Sequence, residues 1–311
     1  MANKKKWCTV LIIALVVIAA AVISVSEMQD GSLPTWDVLY GTAGLTETQT
    51  EPSQNNLTVH FIDVGQGDSI LVQTPQENML IDAGDNTQKK NLLAYLEEYG
   101  VTALDYAVAT HPHSDHIGSM DDVLQALPVR SILMPRLSES NTPSNSSYQN
   151  FLTAVQQSGA KVIAAKPGMT FSMGQAEFTV LGPVSQAENI NNMSVILRLD
   201  WGETSFLFTG DAESAEEKEI LNGEYADYLE ADVLKLGHHG STSSSSKKFL
   251  QAVEPTYGII SCGVDNDYGH PHRETLDKAE KLGIQILRTD EMGSIRFTSD
   301  GQRLQWEPEY E

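Results

Sequence analysis

"VATHPHSDHIGSM" (residues 108–120) places three histidines and an aspartate within six positions: His111, His113, Asp115 and His116. The chain has eight histidines in 311 residues. Two more pairs stand in "LGHHGS" (His238, His239) and "YGHPHRE" (His270, His272), so seven of the eight fall in three short clusters. Core packing would scatter them, and clustering of this kind asks for a metal. Alternation at His111, His113 and Asp115 lets an extended turn send side chains to one side, and His116 adds a neighbouring direction. Neutral imidazole and carboxylate suit zinc or manganese, and the cluster holds more ligands than one catalytic ion has room for. Two ions about 3.5–4 Å apart can share a carboxylate and activate a water between them. "FTGDAE" offers Asp211 for the shared position.

Outward from that stretch, strands and helices alternate. "LTVHFIDV" and "SILVQT" read as a strand pair joined by "GQGD", and "NMLIDAG" as a strand ending at Asp82. "LDYAVAT" ends at the first histidine cluster, "SFLFTGD" at Asp211, and "ADVLKLG" at the second cluster. Helices are predicted in "KKNLLAYLEEYG", "YQNFLTAVQQSG", "ESAEEKEILNGEY" and "RETLDKAEKLG", and the chain closes with a strand pair "QILRTD" and "GSIRFTS". Asp82, His111, Asp211, His238 and His270 each follow a predicted strand. Loops at the carboxyl ends of strands are where α/β folds gather binding groups, so separate loops with matching chemistry point to one site.

The start of the chain is different. "MANKKKW" followed by the apolar run Cys8–Val25 predicts a signal peptide or signal-anchor helix over 1–26. Residues 27–56 read as a linker, leaving 57–311 as the folded domain. The expected location is extracellular, or anchored to the outer face of the cytoplasmic membrane through that segment if it is uncleaved. A single apolar segment cannot form a multi-span pore, so no DNA-uptake channel is expected within this chain. Only Cys8 and Cys262 are present, which rules out a thiolate-rich metal site. Formal charge is −22, and −25 over residues 7–311 once the three leader lysines are set aside. That opposes a broad phosphate-tracking surface but not a small metal-centred phosphate site.

Taken in order, "FIDVGQGDSILVQ", "MLIDAG", "THPHSDHIG", "FLFTGD", "VLKLGHHGSTSSS", "GVDNDYGHPH" and "RTDEMGSI" resemble the metallo-β-lactamase superfamily over residues 57–311. The finer resemblance is to the hydrolase domain of ComEC-type competence proteins. It implies an α/β fold, an αββα sandwich of two mixed sheets flanked by helices. It also implies two divalent ions, Zn2+ or Mn2+: His111 and His113 on one, Asp115 and His116 on the other, Asp211 between them. A histidine of "GHHGS" would complete the second, with His239 the preferred ligand and His238 a contact to phosphate or leaving group. Asp115, His238 and His270 are the expected catalytic residues. Asp82 would orient the histidine cluster from behind, a role that ligating imidazoles need filled.

One departure stands out. Most superfamily members provide another histidine between the main cluster and the bridging aspartate, yet residues 117–237 contain none. The first ion would then be completed by water, substrate or Asn192. His270 suits proton donation or a phosphate contact, His272 the capping of a turn, and the lone His60 a satisfied strand histidine. "DVGQGD" reads as a tight hairpin or a phosphate cradle, and "STSSSSKK" as an anion site at a helix start or a capped polar loop. The resulting expectation is an exported phosphodiesterase or nuclease that uses a metal-activated water on DNA or a cell-wall polymer. Competing readings are a cell-wall phosphodiesterase similar to phosphorylcholine esterases and a non-catalytic surface binding protein.

Overall fold

A computed structural model describes residues 56–310. The expected leader and all of the linker but Asn56 lie outside the described residues. Among the described residues no helix is long and apolar enough to cross a membrane.

The first sheet starts with β1 (Leu57–Phe61), β2 (Ile70–Gln73), β3 (Asn78–Ile81), β4 (Leu104–Val108), β5 (Val129–Met134) and β6 (Lys161–Ala164). The second contains β7 (Thr170–Met173), β8 (Ala176–Gly182), β9 (Ile196–Trp201), β10 (Thr204–Phe208), β11 (Val233–Lys235), β12 (Tyr257–Ile260) and β13 (Gln285–Arg288). The chain then returns to the first sheet as β14 (Ile295–Ser299) and β15 (Leu304–Pro308). Spatial orders are β15-β14-β1-β2-β3-β4-β5-β6 and β13-β12-β11-β10-β9-β8-β7. Each sheet is part antiparallel and part parallel: β3 to β6 run parallel in one, β10 to β13 in the other.

The period of two along each strand builds the layers. On β3, Met79 and Ile81 face the second sheet while Leu80 faces helices; on β10, Phe206 and Phe208 face the first sheet while Leu207 faces helices. Phe61 meets Phe208 at 6.2 Å and Phe206 meets Phe297 at 6.0 Å between ring centres. Each such buried ring contributes about 1.5–3 kcal/mol. Outside the first sheet lie α1 (Lys89–Glu98), α2 (Ser114–Ile117), α3 (Met120–Ala126) and α4 (Ser146–Ser158). Outside the second lie α5 (Ser214–Leu221), α6 (Lys247–Val253) and α7 (Arg273–Lys281), and the short α8 (Thr289–Met292) follows β13. The expected αββα sandwich of two mixed sheets is present.

Several local expectations need correcting. "QILRTD" and "GSIRFTS" do not pair, because α8 and the turn at Gly293 carry the chain from one sheet to the other. The polar segments β7 and β15 are edge strands with one face on the core and the other exposed, so their apolar residues alternate with polar ones. Helix α4 starts at Ser146, two residues ahead of the apolar pattern, because the Asn145 side chain accepts from Tyr148 N. It stops where Gly159 takes φ 71°.

Candidate metal centre

The parallel halves of both sheets end on one rim, which brings separate loops together. Asp82 follows β3 directly, His111 follows β4 by three residues, Asp211 follows β10 by three, and His238 and His239 follow β11. The first cluster is not extended throughout. His113 is extended, but His111 and Pro112 lie in a bend and Ser114–Ile117 form the turn α2, which brings Asp115 and His116 to the site on a helical face. The β1–β2 loop is not a tight hairpin either. It reaches the rim, where Asp68 N donates to Asp115 O (3.1 Å) and Gly84 N donates to Asp68 O (2.9 Å).

The donors sort around the two oxygens of Asp211. His116 Nε2 lies 3.2 Å and His239 Nε2 3.5 Å from Oδ1. Asp115 Oδ2 is 3.3 Å from His239 Nε2 and 3.9 Å from His116 Nε2. His111 Nε2 lies 3.7 Å from Oδ2 and 3.0 Å from His113 Nδ1. Two ligand groups result, Asp115–His116–Asp211–His239 and His111–His113–Asp211, each with donor atoms within 4.8 Å of one another. His116 Nε2, Asp211 Oδ1 and His239 Nε2 are buried and make no hydrogen bond. Three buried polar atoms without partners facing one another would be costly if nothing joined them.

Partners behind the rings fix which nitrogen faces the centre. His116 Nδ1 donates to Asp82 Oδ2 at 2.7 Å. Thr110 donates its hydroxyl to the same oxygen at 2.6 Å, so its oxygen is free to accept from His111 Nδ1 at 3.2 Å. His239 Nδ1 donates to Ser261 O at 2.9 Å. Each arrangement turns Nε2 to the centre, the position at which a cation would take the place of a proton. The field has the matching sign. Burial alone would lower His116 and His239, yet the carboxylates of Asp211, Asp82 and Asp115 hold His116 well above its ordinary value. Asp211, Asp115 and Asp68 likewise carry His239 up to about 10. Burial alone would raise Asp211, and His116, His239 and His111 together hold it well below the usual carboxylate range. Carboxylates that pull this hard on neighbouring protons are suited to a divalent cation, and the N/O donor set fits one.

The remaining candidates sit around this core. His238 is on the Oδ2 side, its Nε2 3.8 Å from Asp211 Oδ2. His270 lines an open pocket of about 280 Å³ together with Gln66, Asp115, His239 and Tyr268. Burial, then the charges of His239, His238 and His272, hold His270 down at about 4. It is therefore neutral at pH 7, which suits an N–H contact to a phosphate oxygen better than proton donation. Asn192 is not among the donors; its Oδ1 accepts from Glu213 N at 2.9 Å. His272 accepts at Nδ1 from Thr242 N (3.0 Å), and His60 bonds Tyr95 and Thr58 within the fold, so both are structural. Ser246 caps α6, and Ser245 and Ser246 donate to Glu217, which is the capped-loop alternative for "STSSSSKK".

Three residues had no sequence signal of their own. Lys235, fully buried, pairs with Asp68. Ser194 accepts from Asp211 N at 3.1 Å. Glu213, two residues after Asp211, contacts His238 Nδ1 at 3.2 Å.

Residues 62–264 match the family model of the metallo-beta-lactamase superfamily. The chain is 32% identical over 258 residues to ComE operon protein 3 of Bacillus subtilis (strain 168), covering 77% of this chain and 32% of that protein. It is 32% identical over 266 residues to competence protein ComA of Neisseria gonorrhoeae, covering 84% and 35%. The chain thus spans about a third of the length of these curated relatives. Among solved structures, the metallo-beta-lactamase fold protein YhfI from Bacillus subtilis superposes with a TM-score of 0.52 at 13% identity, covering 79% of this chain and all of that one.

Proposed function

This chain belongs to the metallo-β-lactamase superfamily, and on that premise we propose that it is an exported, metal-dependent phosphodiesterase of the ComEC-like nuclease kind, working with two divalent ions, Zn2+ or Mn2+. The observation that carries the reading is the set of buried, unbonded donors on His116, Asp211 and His239, closed by Asp115. A pair of bound cations would supply Lewis acidity and a nucleophilic water at neutral pH. The chain's own part is to hold that chemistry in place. Asp211 offers one oxygen to each ligand group, Asp82 and Ser261 fix the rings behind, and the neutral His270 stands on the pocket wall to contact an oxyanion.

The phosphodiester substrate is supported by resemblance to ComEC-type hydrolase domains and by a relative named a competence protein. Net acidity favours a second reading, a compact cell-wall phosphodiester such as a phosphorylcholine ester, over a long polyanion. Metal-free protein reconstituted with Mn2+ or Zn2+ should hydrolyse bis-p-nitrophenyl phosphate, and Asp211→Ala should lower kcat/KM by at least about 10³-fold. No turnover with any divalent cation would leave the binding-protein reading. Parallel assays on single-stranded DNA and a phosphorylcholine ester separate the two enzymatic readings. Export, proposed from the basic and apolar leader, is tested by protease accessibility on intact cells.

A further inference from the structure

We propose that His238 is a metal ligand, completing the first ion in place of the histidine missing from residues 117–237. The inference rests on the two-cation reading above and goes beyond it by giving the two residues of the "HH" pair one ion each.

Adjacent residues of an ordinary turn or strand send their side chains in unrelated directions. Here both His238 and His239 take left-handed backbone angles, φ 50° and 54°. For residues other than glycine this costs about 1 kcal/mol apiece or more, so the surrounding structure must impose it. It does: His238 N donates to Gly210 O, and Ser241 N donates to His238 O at 2.8 Å. At Gly237 a Cβ would lie 2.7 Å from Ala212 O. The two rings consequently straddle Asp211. His239 Nε2 faces Oδ1 at 3.5 Å and His238 Nε2 faces Oδ2 at 3.8 Å. His111 Nε2 stands 3.7 Å from the same Oδ2 and His116 Nε2 3.2 Å from Oδ1. Each carboxylate oxygen therefore has two imidazoles.

His238 Nδ1 lies 3.0 Å from Ser243 Oγ and 3.2 Å from Glu213 Oε1, so these oxygens engage Nδ1 and leave Nε2 as the nitrogen turned to Asp211 Oδ2. A carboxylate behind Nδ1, with Nε2 facing the shared carboxylate, is the arrangement ligating histidines need. A ligand role therefore replaces the contact to phosphate or leaving group expected from the sequence.

The segment from which the histidine is missing bears on Glu213 instead. Asn189 Nδ2 donates to Glu213 Oε2 (2.8 Å), Asn191 Nδ2 donates to Oε1 (3.1 Å), and Asn192 Oδ1 accepts from Glu213 N (2.9 Å). The segment that lacks a ligand holds the carboxylate that orients one. Glu213 is accordingly a positioning residue, acting through His238.

The test is a titration of metal-free protein with Mn2+, followed by calorimetry and by electron paramagnetic resonance. Wild type should take up two ions and show an exchange-coupled spectrum. His238→Asn tolerates the left-handed backbone; it should weaken one of the two ions by about 100-fold or more and leave the six-line spectrum of a single Mn2+. Should that variant fail to fold, Glu213→Gln keeps the ring and should weaken the same ion by about 10-fold. Two ions bound with unchanged affinity in the folded variants would overturn the inference while leaving the metal-centre reading intact. No ion bound by wild type would overturn both, and the two failures are told apart by the wild-type titration alone.

Discussion

Lys235 Nζ lies 2.9 Å from Asp68 Oδ2, with both side chains sealed from solvent. The ammonium also donates to Leu236 O (3.0 Å), and the far oxygen of Asp68 stands 3.4 Å from His239 Nδ1. A charge pair is thus buried directly behind a metal-ligand candidate. Removing one partner of such a pair leaves an uncompensated charge, whereas removing both can be nearly neutral. Lys235→Met should cost about 3–5 kcal/mol, read as a fall in the urea midpoint, and Lys235→Met/Asp68→Asn should regain most of it. A double variant no more stable than the single one would contradict this account.

Asp82 sits at φ 57° and joins His116 Nδ1 to Thr110 through one carboxylate. Asparagine accepts that backbone angle but presents an amide where two oxygens are needed. Asp82→Asn should therefore fold and lose about 10- to 100-fold in metal affinity, measured by competition with a chromophoric chelator. Wild-type affinity in the variant would remove Asp82 from the centre's support.

The ligands were legible because their chemistry is dense in sequence: "HPHSDH" and "GHHGS" each announce themselves, and each follows a strand whose apolar run marks where the loop begins. The supporting residues were not. Lys235 lies inside the run "VLKL" and shows its role only when the β1–β2 loop lays Asp68 against it. Glu213 looks like one more acid in a charged helix start until three asparagines and His238 close around it. Edge strands β7 and β15 carry no apolar run for the opposite reason: only one face of each packs on the core, through Phe171 and Met173 and through Leu304 and Trp306, while polar residues alternate on the other.

Gly67 has φ 148°, and a Cβ there would lie 2.3 Å from the carbonyl oxygen of Asp115. The glycine lets the β1–β2 loop press on the turn that carries Asp115 and His116. Gly67→Ala should push the two apart, with kcat/KM on bis-p-nitrophenyl phosphate falling by about 10-fold or more. Gly100→Ala is the matched control: φ is 70° but nothing lies within 4 Å. It should cost about 1 kcal/mol of stability and leave turnover unchanged. Equal effects of the two substitutions on turnover would mean that backbone strain, not the contact with Asp115, is what matters.

His60 offers a pH test away from the metal centre. It is buried on β1, with Nδ1 3.0 Å from Tyr95 Oη and Nε2 3.3 Å from Thr58 Oγ1. Burial, then the charge of Arg296, push its pKa down to about 3. The unfolded chain takes up a proton on this ring near pH 6.5, and the folded chain refuses it. Stability from this group is therefore complete above pH 6.5 and is lost as pH falls toward 3. Between pH 7 and pH 5 the loss should be about 2 kcal/mol. His60→Gln removes the titration, so urea midpoints of chelator-treated wild type and variant should converge as pH drops from 7 to 5. A gap that stays constant over that interval would show that the ring takes up its proton without leaving the fold.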